Sequence, residues 1–323
     1  MDELRTADAQ GLVQSAASRI SVRSISLGIV VSVVLYLGMA ILADREALGV
    51  RVTELPGLLW IQVVALSFLS YLLRFVRWHH FIVALGHKVP IFRNFEIYLA
   101  AFALTLTPGK AGVTIRTVYL HPYGVSYPHS IGAFISERLL DLIAVGMLAS
   151  LAVSMFPEQR SWMFTAIACI AIVIMLLRSS LFSLIRRLAA RSSAIGYTAD
   201  LVAVVRFLLL GRRVAVAAPL SFMAWLAQGL SLYLIVHALG YESTAITIVA
   251  IYCLSILAGA LSFIPGGLGA TEAAIALFLM ALGVGQIDAL AASLISRGVT
   301  LWFAVGIGVL AMAKIAFTNQ PTL

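Results

Sequence analysis

The chain has 323 residues, 62% of them apolar and 11% charged, with a mean hydropathy of +1.03 and a net charge of +8. A soluble domain carries about a quarter charged residues, so this composition excludes a water-soluble globule and leaves an all-α polytopic membrane protein. The basic surplus lies mostly in loops between apolar runs, where anionic lipid headgroups are the expected partner and nucleic acid is not.

The first 23 residues are polar and end in Arg19 and Arg23, and are expected to form a cytoplasmic tail. The following run, Ser24 to Ala43, is longer than a signal-peptide core and lacks a small-residue cleavage pattern, so it reads as a retained span. Further spans are predicted at Leu55 to Leu73, Ile91 to Thr107, Ser130 to Phe156, Trp162 to Leu177, Val214 to Leu239, Thr244 to Ile264 and Ile287 to Ala313. Two apolar pieces, Val113 to Leu120 and Ala270 to Leu282, are too short to cross alone and suit half-helices. The result is about eight spans plus two half-helices in one transmembrane unit, residues 24–314, with a short tail at 315–323.

Basic loops are expected on the cytoplasmic side. Arg74, Arg77, Lys88 and Arg93 form one such cluster, and Arg178, Arg186, Arg187, Arg191, Arg206, Arg212 and Arg213 form another. The turns around Glu158 and Glu242 then fall outside, and both termini inside. Arg74 to His87 and Arg186 to Arg213 read as amphipathic stretches along the cytoplasmic surface.

Two helix breaks share a pattern. The first is Thr107-Pro108-Gly109-Lys110-Ala111-Gly112 and the second is Ile264-Pro265-Gly266-Gly267-Leu268-Gly269. Each follows an apolar run and precedes a short apolar piece, and each is succeeded by an Ile-Ser pair with an arginine close behind: Ile135-Ser136-Glu137-Arg138 and Ile295-Ser296-Arg297. The loop charges send the first copy from inside to outside and the second from outside to inside. That is the inverted-repeat arrangement of secondary transporters, with halves at about residues 24–157 and 158–314.

Proline and glycine end a helix at membrane depth, and the helix that restarts presents free N–H groups and a positive dipole end. A phosphate suits that geometry. Ionisable residues inside spans are costly enough to mark a site. They are Lys110, Arg116, Glu137, Arg138, Asp141, Glu272 and Arg297. Glu137 and Asp141 are four apart and share a helix face. Four cations against three anions suit an anionic group, with the carboxylates orienting the arginines. The same residues also suit a closed set of structural ion pairs, Arg138 with Glu272 for instance.

Other chemistry finds no pattern. The six histidines show no metal-ligand spacing, Cys169 and Cys253 sit in apolar runs, and neither a P-loop nor a Gly-x-Ser-x-Gly elbow is present. No metal or cofactor is expected.

Pro108-Gly109-Lys110-Ala111-Gly112 with Arg116, Glu137-Arg138-Leu139-Leu140-Asp141, and Pro265-Gly266-Gly267-Leu268-Gly269 with Glu272 resemble the lysylphosphatidylglycerol synthase transmembrane (flippase-like) family. The similarity runs from about Ser24 to Lys314. It implies a lipid flippase-type fold in a prokaryotic plasma membrane, acting on an anionic phospholipid or a polyprenyl-phosphate-linked intermediate. Val113 stands where that family often has an acidic residue, and the soluble aminoacyl-transfer domain of the lipid-modifying members is expected to be absent, so this chain is not expected to make lysyl-lipid by itself. Two other readings remain: a membrane transferase using Glu137, Asp141 or Glu272 as base, or a scaffold for partner enzymes of lipid or glycan synthesis.

Overall fold

A computed structural model describes residues 45–105, 111–151, 193–262 and 264–318, and its regular elements are all helical. The expected spans Ser24 to Ala43 and Trp162 to Leu177, the Glu158 turn, Cys169 and the termini lie outside the described residues.

A short helix α1 (Arg45–Glu54) precedes α2 (Gly57–Ala84). Pro56 stands just before α2, where its missing N–H costs nothing, and no proline or glycine interrupts the helix until Gly86, whose φ is +87°. At about 1.5 Å per residue α2 is roughly 42 Å long, more than a hydrocarbon core needs. This corrects the expected end of a span at Leu73. The stretch from Arg74 is the last third of α2, with Arg77, Trp78, Phe81 and Ile82 buried, and not a surface helix.

Next come α3 (Ile91–Ala100) with a 3₁₀ turn (Ala101–Leu104), α4 (Ala111–Leu120), and α5 (Tyr127–Ser150). After them lie α6 (Ser193–Leu208), α7 (Arg212–Ala238) and α8 (Ala245–Leu261), the last capped by the Thr244 hydroxyl accepting from the Thr247 N–H at 3.2 Å. A 3₁₀ turn (Pro265–Gly267) leads to α9 (Ala270–Ala281), and α10 (Gln286–Arg297) passes through a π turn (Gly298–Trp302) into α11 (Phe303–Thr318). Among the described residues, α2, α7 and the continuous α10–α11 rod are long and apolar enough to cross a membrane, and α8 and α9 are shorter apolar helices. α5 has the length, but carries Glu137, Arg138 and Asp141.

Two apolar clusters lie at opposite ends of the bundle. One joins Leu55, just before α2, and Leu59 of α2 to the end of α5 (Leu148), the end of α9 (Leu279) and the start of α10 (Ala289). The other joins Phe81 and Ile82 of α2 to the end of α4 (Leu120), the start of α5 (Ala133) and the end of α11 (Ile315). The half-helices α4 and α9 therefore run toward opposite ends. So do the long helices that follow them. Sequence copies related by pattern run in opposite directions through the packing.

Each end also has a polar tie. Lys314 of α11 pairs with Glu96 of α3 at one end. At the other, Asp288 accepts from Tyr241 at 2.7 Å and pairs with Arg51 at 3.0 Å.

Candidate functional site

Between the two apolar clusters lies a layer of buried charge. α5 supplies Glu137 and Asp141, one helical turn apart on the face turned to α2, and both are met by Arg77. Its guanidinium lies 3.2 Å from Glu137 and 2.6 Å from Asp141, and also donates to the Ser221 hydroxyl. Arg77 and Glu137 are 0% exposed. Charges so far from water persist only when paired and hydrogen-bonded.

Glu137 has a second cation. Arg116, from the half-helix α4, reaches its other oxygen at 2.9 Å and lies between the rings of Trp78 and Tyr98, 4.8 and 4.1 Å from their centroids. Arg138, facing away by about 100° on α5, folds back to Asp141 at 3.0 Å and keeps 38% of its side chain exposed. Trp225 of α7 donates its indole N–H to Asp141 at 3.1 Å.

The second half repeats this device with the charges exchanged. Here the half-helix α9 supplies the acid, Glu272, and the long helix supplies the base, Arg297, at 2.9 Å. Glu137 and Arg297 each directly follow the serine of an Ile-Ser pair. The break before α9 holds Gly266, Gly267 and Gly269 at φ of 66°, 64° and 79°, a region open to glycine and closed to most side chains. Gly266 turns its carbonyl to Arg297, which donates to it. Glu272 lies in the first turn of α9, so a carboxylate already meets the positive dipole end there. Its Oε2 is buried without a hydrogen-bond partner.

The expected residues thus divide. Arg116, Glu137, Arg138 and Asp141 come together in one network, and Pro265, Gly266, Gly269, Glu272 and Arg297 form a second around the later break. Gly112 opens α4, while Pro108, Gly109 and Lys110 lie outside the described residues. The pair suggested by sequence, Arg138 with Glu272, does not form. Each takes a partner within its own half: Arg138 meets Asp141 one turn along the same helix α5, and Glu272 meets Arg297 because α9 and α10 pack side by side.

Sequence reasoning missed Arg74 and Arg77, which it assigned to a cytoplasmic cluster. The signal was present: Phe75, Trp78, Phe81 and Ile82 continue the apolar face past the arginines with no breaker before Gly86. Arg74 stacks on Trp225, 4.2 Å from the ring centroid, and donates to Gln228 at 3.1 Å. Gln228 also accepts from Tyr252 of α8 at 3.2 Å. Tyr71 closes the layer by donating to the Thr300 carbonyl in the π turn at 2.7 Å. Among the described residues no cluster of His, Cys, Asp and Glu has the makings of a metal site.

A family profile described as the lysylphosphatidylglycerol synthase TM region matches residues 25–308. The chain is 26% identical to the UPF0104 membrane protein PH1989 of Pyrococcus horikoshii, over 76% of this chain and 84% of the relative. It is 24% and 26% identical to two UPF0104 membrane proteins of Methanothermobacter thermautotrophicus, over 78% and 76% of this chain and 84% and 81% of the relatives.

Proposed function

The chain belongs to the lysylphosphatidylglycerol synthase transmembrane family, and we propose that it moves an anionic, phosphate-bearing lipid between the leaflets of the plasma membrane. The observation that carries this reading is the charged layer between the apolar clusters, in which the buried Arg77, Arg116 and Arg297 and the half-buried Arg74 and Arg138 outnumber Glu137, Asp141 and Glu272. A purely structural set of ion pairs would balance. Here the fully buried members balance at three against three, and two half-buried arginines, Arg74 and Arg138, add a surplus of positive charge at the layer's margin, which is costly at membrane depth unless an anion completes it.

The ion pairs also give the phosphate a route. A headgroup entering from either end displaces a carboxylate from its arginine and takes over the bond, so the arginine is never left unpaired in low dielectric. Arg297 exchanges Glu272 and the Gly266 carbonyl for phosphate at one half, and Arg116 exchanges Glu137 at the other. Exchanged polarity suits alternation: in one half the half-helix is released as the acid carrier, in the other as the base carrier. The chain holds no nucleotide motif, so a gradient or mass action would drive the movement. A phospholipid and a polyprenyl-phosphate intermediate offer the same phosphate chemistry.

Reconstitution tests this directly. Liposomes containing the protein and fluorescent phosphatidylglycerol should lose their inner-leaflet protection from an external quencher, and Arg297→Gln or Arg116→Gln should slow that loss at least tenfold. A transferase reading draws on the unpartnered Glu272 Oε2 as a base. Covalent turnover of a lipid-linked donor, with no leaflet exchange of anionic phospholipid or polyprenyl phosphate, would replace translocation with that chemistry.

A further inference from the structure

Four of the five arginines in the buried layer have a carboxylate partner. Arg77 has Glu137 and Asp141, Arg116 has Glu137, Arg138 has Asp141 and Arg297 has Glu272. Arg74 has none among the described residues. It is held by neutral groups instead: the face of Trp225 at 4.2 Å and the Oε1 of Gln228 at 3.1 Å. A guanidinium carries five N–H donors, and the Nε of Arg74, like those of Arg77, Arg116 and Arg138, is buried with no partner; what sets Arg74 apart is the missing carboxylate.

Depth makes this arrangement unusual. Arg74 lies about 25 Å along α2 from Gly57 and about 15 Å from Ala84, well inside a helix sized to span the bilayer. An arginine there is costly when its charge goes unmatched.

We propose that Arg74 is the phosphate-recognition residue of this protein, holding an oxyanion of the headgroup between the two ion-paired halves; this rests on the anionic-lipid reading above. The mounting fits the role. Trp225 covers one face of the guanidinium and is fixed by its own N–H bond to Asp141 in the first network. Gln228 is fixed by Tyr252 from α8, on the side of the second. The donor plane is thus oriented before any ligand arrives, which favours the in-plane bonds that phosphate accepts from arginine. Both partners lie on α7 and link Arg74 onward, through Trp225 to Asp141 and through Gln228 to Tyr252, so an anion bound here lies one side chain from the first network.

Equilibrium binding tests the site apart from transport. In detergent, dihexanoyl phosphatidic acid and inorganic phosphate are titrated separately by calorimetry into wild type, Arg74→Gln, Arg74→Lys and Gln228→Glu. Wild type should bind the short-chain lipid, Arg74→Gln should weaken it about 10- to 100-fold, and Arg74→Lys should restore only part. Gln228→Glu, nearly the same shape, supplies the missing carboxylate and should weaken binding comparably with the arginine still present. It keeps the test valid even if Arg74→Gln misfolds. Wild-type affinity in Arg74→Gln or in Gln228→Glu overturns the proposal. Inorganic phosphate binding as tightly as the lipid, with the same dependence on Arg74, supports the oxyanion site and assigns it to free phosphate. Arg74-dependent lipid binding without leaflet exchange supports the site and overturns the translocation reading.

Discussion

Arg77 and Arg74 are one turn apart on the same helix and have opposite electrostatic situations. Arg77 is paired with two carboxylates and bonded to the Ser221 hydroxyl, with no exposed surface. Removing it leaves the buried Glu137 and Asp141 with one arginine each, Arg116 and the partly exposed Arg138, and strips one hydrogen bond from each carboxylate. Arg77→Leu should therefore destabilise the protein by about 3–5 kcal/mol, measured by denaturant titration in detergent with helical circular dichroism as readout. A loss under 1 kcal/mol would mean the pair is solvated after all. Glu137 and Asp141 were legible as one face from their spacing alone. Their partner was not, because a positive-inside reading assigns an arginine near a span end to the surface, and only packing shows which way it points. His87 shows the same limit in a milder form. It follows α2 in a turn and bonds to His129 at 2.7 Å, and partial burial lowers its affinity for a proton below the ordinary histidine value of 6.5. The folded state thus binds the proton less readily than the unfolded chain, so its contribution is complete above about pH 6.5 and is lost as pH falls toward the lower folded value. Melting temperature should fall between pH 7.5 and 5.5, and His87→Gln should flatten that slope.

At the scale of elements, the breaks are where sequence spoke most clearly and α2 is where it misled. Three positive-φ glycines after Pro265 were readable as the end of one helix and the start of another, since only glycine accepts that backbone without strain. The length of α2 was not readable from hydropathy, because arginines interrupt the apolar average while leaving the helix intact. Close approach was not readable either. Gly308 of α11 packs against the 3₁₀ turn that precedes the first break, so that a Cβ there would fall on the backbone nitrogen of Ala103. Gly306, two residues earlier, has nothing within 4 Å of its added Cβ. The pair makes a controlled test. Gly308→Ala should cost about 1–3 kcal/mol through forced backbone displacement, while Gly306→Ala should gain up to about 1 kcal/mol from helix propensity. Equal effects in a melting assay would show that α11 does not press on the turn.

The whole molecule turns on direction. α4 and α9 lead from the region of the breaks to opposite ends of the bundle, and Lys314, where the second copy finishes, pairs with Glu96, near where the first begins. Inverted copies require that closure, since a repeat followed by its inverse returns to the starting face. Charge then proposes which face is which: Lys88, Arg93, Arg212, Arg213 and Lys314 gather at the end marked by Ile82 and Ile315, while at the other Arg51 is outnumbered by Glu54, Glu242 and Asp288. Under the positive-inside rule the first end is expected to be cytoplasmic. In a background with both native cysteines replaced, Glu242→Cys should react with a membrane-impermeant maleimide added outside intact cells. Lys88→Cys should react only after permeabilisation. Labelling of both from the same side would separate the two ends of the bundle from the two faces of the membrane, and the exchange of ion pairs between halves would lose its direction. Labelling of Lys88→Cys from outside and Glu242→Cys only after permeabilisation would keep the inversion and reverse the orientation, placing entry to the Glu272–Arg297 half on the cytoplasmic face.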